Sequence, residues 1–202
     1  RGLVSTGLDL SPEMIAYSRE LAAKERLSVD FVEGDMRAYR SDQKYDIAYI
    51  LIASFAHLLT NQDILDNFSF VAELLNENGM YVIVTAHPRD FWGVGKQYAT
   101  CHWTMERDGI VVITDWGGND DAFDPLTEID EVIVTFAVTE NSETTIYQCP
   151  ERLRRLSIQT FHALVQLSGR FEIAHLLGDL DESVPLSNED KSGRMVAVLR
   201  RR

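Results

Sequence analysis

The chain has 202 residues, 45% of them hydrophobic and 25% charged, which is enough apolar material for one sizeable globular core. Its 32 acids outnumber 19 bases, for a formal charge of −13, and residues 108–151 carry eleven acids and no Lys or Arg. That balance argues against non-specific nucleic-acid binding, which needs basic surface to displace phosphate counterions. The two cysteines, Cys101 and Cys149, have no CxxC or Cys/His spacing, so neither a structural zinc nor any other metal site is expected. No apolar run approaches the ~18–20 residues of a membrane span, and no secretory signal is present. The expectation is a cytoplasmic protein with free thiols.

The elements follow in chain order. Leu3 to Leu10 is a short strand candidate ending at Asp9. Ser11-Pro12-Glu13 opens a helix, with Ser11 as cap, Pro12 at the first helical position and Glu13 at the positive end. Met14, Ile15, Ser18, Leu21 and Ala22 continue it at helical spacing. Val29–Val32 is a second strand, closed by Glu33-Gly34-Asp35. Tyr45 to Ile52 is a nearly continuous apolar run, the pattern of a strand buried on both faces of a parallel sheet. Gln62 to Leu75 is an amphipathic helix stopped by Asn78-Gly79, and Met80 to Thr85 is another strand, ended by His87-Pro88. Strand, helix, strand, strand, helix, strand with short connections predicts an α/β sheet of doubly wound type.

The pattern then changes. Tyr98–Glu106, Ile110–Trp116, Glu128–Val138 and Thr144–Cys149 are strand candidates punctuated by turn residues, which predicts an antiparallel meander. A helix capped by Ser157 and ended by Gly169 follows, then strands Phe171–Leu177 and Met195–Leu199 as a closing hairpin.

Candidate chemistry sits at carboxyl ends of predicted strands, where open α/β sheets bind ligands. Asp9 can accept hydrogen bonds from vicinal ribose hydroxyls, or serve only as a turn residue. Asp35, after Gly34, can accept from an exocyclic amine while the Met36 amide donates to a ring nitrogen; Gly-Asp is also a common turn. His57 lies in the loop after the Tyr45–Ile52 strand and is a weak candidate for a catalytic base, or a structural histidine.

Taken together, Gly7-Leu8-Asp9-Leu10-Ser11-Pro12-Glu13-Met14, Glu33-Gly34-Asp35-Met36, Tyr45-Asp46-Ile47 and Leu74-Leu75-Asn76-Glu77-Asn78-Gly79-Met80 resemble the class I S-adenosylmethionine-dependent methyltransferases, in order and spacing, over residues 7–87. The resemblance implies a Rossmann-like sheet and S-adenosylmethionine as cofactor. Asp9, with Leu10 beside it, would hold the ribose; Asp35 and Met36 would hold the adenine; Ile52 and Ala53 would line the cofactor. The later part is similar to a small-molecule subgroup with an antiparallel lid inserted after the fifth strand. The implied organisation is a partial cofactor-binding core over 1–97, a lid over 98–150, and a closing helix and strands over 151–202. The family's first strand and its glycine-rich loop have no counterpart before residue 7, so the chain is expected to be N-terminally truncated.

On this resemblance the chain transfers a methyl group to nitrogen or oxygen of a small molecule, without nucleic-acid or membrane partners and with a homodimer as a candidate assembly. His87, His102, Trp103 and Tyr147 are substrate candidates. Trp92, Trp103 and Trp116 with Phe91 could form an aromatic wall, and the acidic lid could steer a cationic amine. A nicotinamide-dependent oxidoreductase would also place Asp9 on a ribose, though the Gly34-Asp35-Met36 turn fits it less well. A non-catalytic methyltransferase-like module is the third alternative.

Overall fold

A computed structural model describes residues 3–91, 101–117 and 122–202. Strand β1 (Thr6–Asp9) pairs in parallel with β2 (Asp30–Glu33), joined by helix α1 (Pro12–Lys24). Strand β3 (Tyr45–Ile50) pairs in parallel with β4 (Leu75–Ala86) across helix α2 (Asn61–Leu74). The late strands β10 (Phe171–Leu177) and β11 (Arg194–Arg201) form the expected hairpin, and β11 adds antiparallel to β4, for an order β10-β11-β4-β3.

The helix starts follow from local chemistry. Ser11 Oγ accepts the Met14 amide at 3.1 Å, with Pro12 already set to a helical φ. Thr60 and Asp63 form a reciprocal capping box at α2. Helix α3 (Ile158–Ser168) is capped by Ser157 and released by Gly169 at φ +63°. Helices α2 and α3 cover one face of the four-stranded sheet. There Phe55, Phe68, Tyr81, Phe161 and Phe171 form a buried aromatic cluster with ring centroids 5.9–6.4 Å apart. Inside it the Tyr81 hydroxyl donates to Asn67 Oδ1 at 2.8 Å, and Asn67 Nδ2 donates to the Met36 carbonyl at 2.8 Å. This buried chain fixes the loop after β2 against α2.

The opposite face of β3 departs from expectation. The Tyr45–Ile52 run predicts burial on both faces, yet Ile47, Tyr49 and Leu51 are exposed, Tyr49 by 65%. No layer packs on that face among the described residues. Strands β1 and β3 also face one another across a gap that no described strand fills. The Tyr45 hydroxyl donates across it to Thr6 Oγ1 at 2.8 Å. A cavity of about 340 Å³ lies there, lined by apolar side chains that include Leu8, Met36, Ile47 and Tyr81.

The meander is a separate sheet. Strands β5 (Cys101–Arg107), β6 (Ile110–Trp116), β8 (Ile129–Glu140) and β9 (Glu143–Arg154) pair antiparallel in that order, and the short β7 (Ala122–Asp124) pairs with the start of β8. Two-residue turns join two of these pairs, Asp108-Gly109 (φ +53° and +80°) and Asn141-Ser142 (φ +51° and +65°), the left-handed pairs that match strand twist. Strand β9 continues to Arg154 rather than stopping at Cys149, because β8 offers it pairing partners along its whole length.

Buried charges pin this sheet to the core. Arg154 donates from Nη1 to the Leu59 carbonyl at 2.9 Å, and from Nη2 to Asn61 Oδ1 at 2.9 Å and Glu128 Oε2 at 3.1 Å. Glu128 Oε1 accepts the Ser157 amide at 3.2 Å and the Thr160 hydroxyl at 2.9 Å. Arg155 pairs with buried Asp130 at 3.0 Å.

Candidate functional site

The carboxyl ends of β1, β2 and β3 converge on one crevice. The Gly34 amide donates to the Asp9 carbonyl at 2.9 Å, which ties the loop after β2 to the end of β1. Asp9 is exposed there, and Leu10 is exposed beside it. Asp9 Oδ1 accepts the Ser11 amide at 2.9 Å. Its other oxygen has no protein donor among the described residues, so the carboxylate can accept from a pair of hydroxyls. The start of α1 lies alongside, with its Met14 amide capped by Ser11 Oγ and its Ile15 amide donated to the Ser11 carbonyl.

Asp35 is placed in the same crevice but is already engaged. Arg37 Nε donates to both carboxylate oxygens at 3.0 Å, and the Arg37 amide reaches Oδ1 at 2.8 Å. These bonds hold the Asp35 carboxyl below the usual carboxylate range. Arg37 also reaches Asp63 at 3.2 Å. Both carboxylate oxygens of Asp35 are thus engaged by Arg37. Met36 is fixed through its carbonyl by Asn67.

After β3 the chain makes two successive left-handed residues, Ile52 at φ +55° and Ala53 at φ +62°. A β-branched residue in that region is strained. Ile52 is 93% exposed, and the Ala53 amide donates to the Val84 carbonyl at 3.1 Å, so the turn is held firmly at the crevice edge. The donor set fits a nucleoside-bearing cofactor: a free carboxylate oxygen for hydroxyls at Asp9, and a bared apolar turn at Ile52-Ala53.

The sheet of β5–β9 closes over this crevice. Strand alternation divides its residues between two faces. One face carries Trp116, Val132 and Leu153, which pack against Ala56 in the turn after β3. Further along the same face Arg107 donates to the Tyr17 hydroxyl of α1 at 2.7 Å. That face is therefore the inner one. Trp103 and Tyr147 lie on it, half-exposed. His57 also sits at this junction, with Nδ1 4.0 Å from Glu151 Oε2 of the inner face.

Two substrate candidates are placed elsewhere. His102 is on the outer face, because adjacent residues of a strand point to opposite sides, and its Nδ1 donates to the cross-strand Asp115 at 2.6 Å. His87 is buried with both ring nitrogens in use: Nε2 donates to the Ser187 carbonyl at 2.9 Å and Nδ1 accepts the Arg89 amide at 3.1 Å. It fastens the 178–193 loop to the end of β4. The acids of the sheet are divided: Glu106, Asp115 and Glu131 are on the outer face, while Glu140, Glu143 and Glu151 share the inner face with Trp103 and Tyr147. Trp92, Asp120 and Asp121 lie outside the described residues, as does the side chain of Phe91.

Comparisons with known proteins follow the same division. Residues 2–79 match the family model described as a methyltransferase domain. A Geobacillus sp. (strain WCH70) protein, whose name assigns it provisionally to the methyltransferases, is 29% identical over 79 residues. That match covers 39% of this chain, which spans about a third (32%) of the relative's length. A solved S-adenosylmethionine-dependent methyltransferase from Clostridium acetobutylicum superposes with a TM-score of 0.77 at 13% identity, covering 98% of this chain and 75% of that one. The fold is that of the class I S-adenosylmethionine-dependent methyltransferases. An amino pentose methyltransferase from Micromonospora echinaspora, solved with S-adenosylmethionine bound, superposes with a TM-score of 0.68 at 17% identity, covering 98% and 74% of the two chains. The methyltransferase fold thus extends through the β5–β9 sheet and the closing hairpin, well past the 2–79 segment that carries the family's sequence signal.

Glu128, Arg154 and the inner-face residues Thr114 and Phe136 are absent from the sequence-level candidates. The run Ile110–Ile113 is apolar at every position, so no alternation in the sequence singles out Thr114 or its face. Choosing its face needed the contacts of Trp116 and Arg107.

Proposed function

We propose that this chain binds S-adenosylmethionine at the ends of β1–β3 and transfers its methyl group to nitrogen or oxygen of a small molecule held under the β5–β9 sheet. The observation that carries this is Asp9, an exposed carboxylate at the end of β1 with one oxygen unengaged among the described residues and its carbonyl tied to the β2 loop. The similarity to an amino pentose methyltransferase supports a small-molecule acceptor.

The cofactor supplies an electrophilic methyl on a sulfonium. Asp9 binds the ribose hydroxyls, the loop at Asp35 and Met36 borders the adenine, and Ile52-Ala53 lines the remaining edge. The covering sheet excludes water and orients the acceptor, which is where rate is gained in an in-line displacement. His57, beside Glu151 at the junction of the turn after β3 and the covering sheet, is the side chain placed to act as a base toward the acceptor.

Ultraviolet cross-linking with methyl-tritiated S-adenosylmethionine tests the placement. Label on peptides containing residues 6–11, 33–37 or 51–57 is the expected result. Label confined to the 178–193 loop or the outer face of β5–β6 contradicts it.

A further inference from the structure

The inner face of the β5–β9 sheet holds one cross-strand row with an unusual composition. Trp103 pairs with Thr114, Thr114 with Phe136, and Phe136 with Tyr147, so these four side chains lie side by side on four successive strands. Cross-strand neighbours on one face stand about 4.5–5.5 Å apart at Cβ, which makes the row a continuous surface. It lies between the two places where the sheet touches the core. Trp116, Val132 and Leu153 rest on Ala56 on one side, and Arg107 reaches Tyr17 on the other. The row therefore spans the stretch of the inner face between the sheet's two contacts with the core.

Within it Thr114 stands out. The residue is 1% exposed, yet its Oγ1 has no hydrogen-bond partner among the described residues. A buried hydroxyl left unpaired costs stability that valine, of the same shape, would not cost. Its neighbours in the row are three aromatic side chains, of which Trp103 and Tyr147 are 39% and 53% exposed. The row itself holds no carboxylate or cation: Glu106, Asp115 and Glu131 point outward, and the inner-face acids Glu140, Glu143 and Glu151 stand four residues along their strands from Phe136 or Tyr147.

We infer that this row is the acceptor-binding wall and that Thr114 selects the acceptor. Its occupant is an uncharged ring compound bearing a hydroxyl, with the ring against Trp103, Phe136 and Tyr147 and the hydroxyl paired with Thr114 Oγ1. Aromatic side chains offer flat apolar faces to a ring, and a threonine hydroxyl both donates to and accepts from another hydroxyl. Only the word acceptor rests on the methyl-transfer reading; the binding of such a ring does not.

The test uses the full chain and 4-fluorophenol as probe, followed by fluorine NMR line width, with fluorobenzene and protonated 4-fluorobenzylamine as comparators. Saturable broadening of 4-fluorophenol is expected in the wild type and in Thr114→Ser, which keeps the hydroxyl. Thr114→Val is expected to bind it roughly 3–10-fold more weakly, while its binding of fluorobenzene and its thermal midpoint are unchanged or improved. The benzylammonium probe is expected to bind more weakly than the phenol in the wild type. The inference is overturned by no saturable 4-fluorophenol response in the wild type, by equal phenol binding in Thr114→Val, by tighter benzylammonium binding, or by a Thr114→Val midpoint several degrees lower, which would give the hydroxyl a structural partner. Calorimetry with S-adenosylhomocysteine separates the two readings. No cofactor heat with phenol binding intact removes the methyl-transfer reading alone, and cofactor binding without phenol binding removes the wall alone.

Discussion

Replacing Arg154 with methionine should detach the covering sheet from the core at a definite energetic cost. The side chain is nearly buried and gives up its bonds to the Leu59 carbonyl, Asn61 Oδ1 and Glu128 Oε2. The larger effect is on what stays behind, because Glu128 becomes a buried carboxylate without its cation. Removing one partner of a buried pair costs about 3–5 kcal/mol. Glu128 retains the Ser157 amide and the Thr160 hydroxyl as donors, which places the expected loss near the lower end, about 3 kcal/mol. For a domain of this size that corresponds to a fall in thermal midpoint of roughly 6–12 °C. The double change Arg154→Met with Glu128→Gln removes the stranded charge and should recover about half of the loss. Urea unfolding gives the energies, and hydrogen exchange should show faster opening in β8 and β9 than in α2. A single-variant loss below about 1 kcal/mol, or a double variant worse than the sum of its parts, refutes the reasoning.

Tyr81→Phe leaves Asn67 Oδ1 buried without its donor and should cost about 1–3 kcal/mol in urea unfolding, with the aromatic packing around Phe68 and Phe171 kept. Arg37 and Thr60 hold the carboxyls of Asp35 and Asp63 below their ordinary values. The unfolded chain therefore binds those protons first, so their stabilisation is complete above the ordinary carboxylate range near pH ~4 and is lost as pH falls through the lowered values. Urea midpoints should drop below pH ~4, and less steeply in Arg37→Ala. The same substitution frees the Asp35 oxygens and should tighten S-adenosylhomocysteine binding if Asp35 meets the adenine.

Much of the architecture was legible because it rests on local chemistry. Ser11-Pro12 and Ser157 with Gly169 mark helix ends through short-range bonds that spacing alone reveals, whereas the Thr60–Asp63 capping box at α2 went unread. Asp9 was legible as the end of a short apolar strand, whereas the strand read as Tyr45–Ile52 stops at Ile50 and the left-handed turn at Ile52-Ala53 had no local signal. What depends on register was not. His102 and Trp103 are neighbours in sequence and look equally eligible, yet pleating sends them to opposite faces, and only the Arg107–Tyr17 and Trp116–Ala56 contacts say which face is inner. The Arg37–Asp35 pair is separated by two residues and was visible in principle. Glu128 and Arg154 are brought together by a long β8–β9 pairing that no local pattern announces. The run Tyr45–Ile52 misled because its composition anticipates a covering layer that the described residues do not supply.

The central claim is that Asp9 anchors a nucleoside cofactor at the end of β1. Isothermal calorimetry of the wild-type protein and Asp9→Ala with S-adenosylhomocysteine tests it most directly. Two hydrogen bonds to a carboxylate predict wild-type binding weakened roughly 100-fold in the variant, with thermal unfolding unchanged without ligand. Equal affinity in both proteins, or no binding by a folded wild type, would contradict the account.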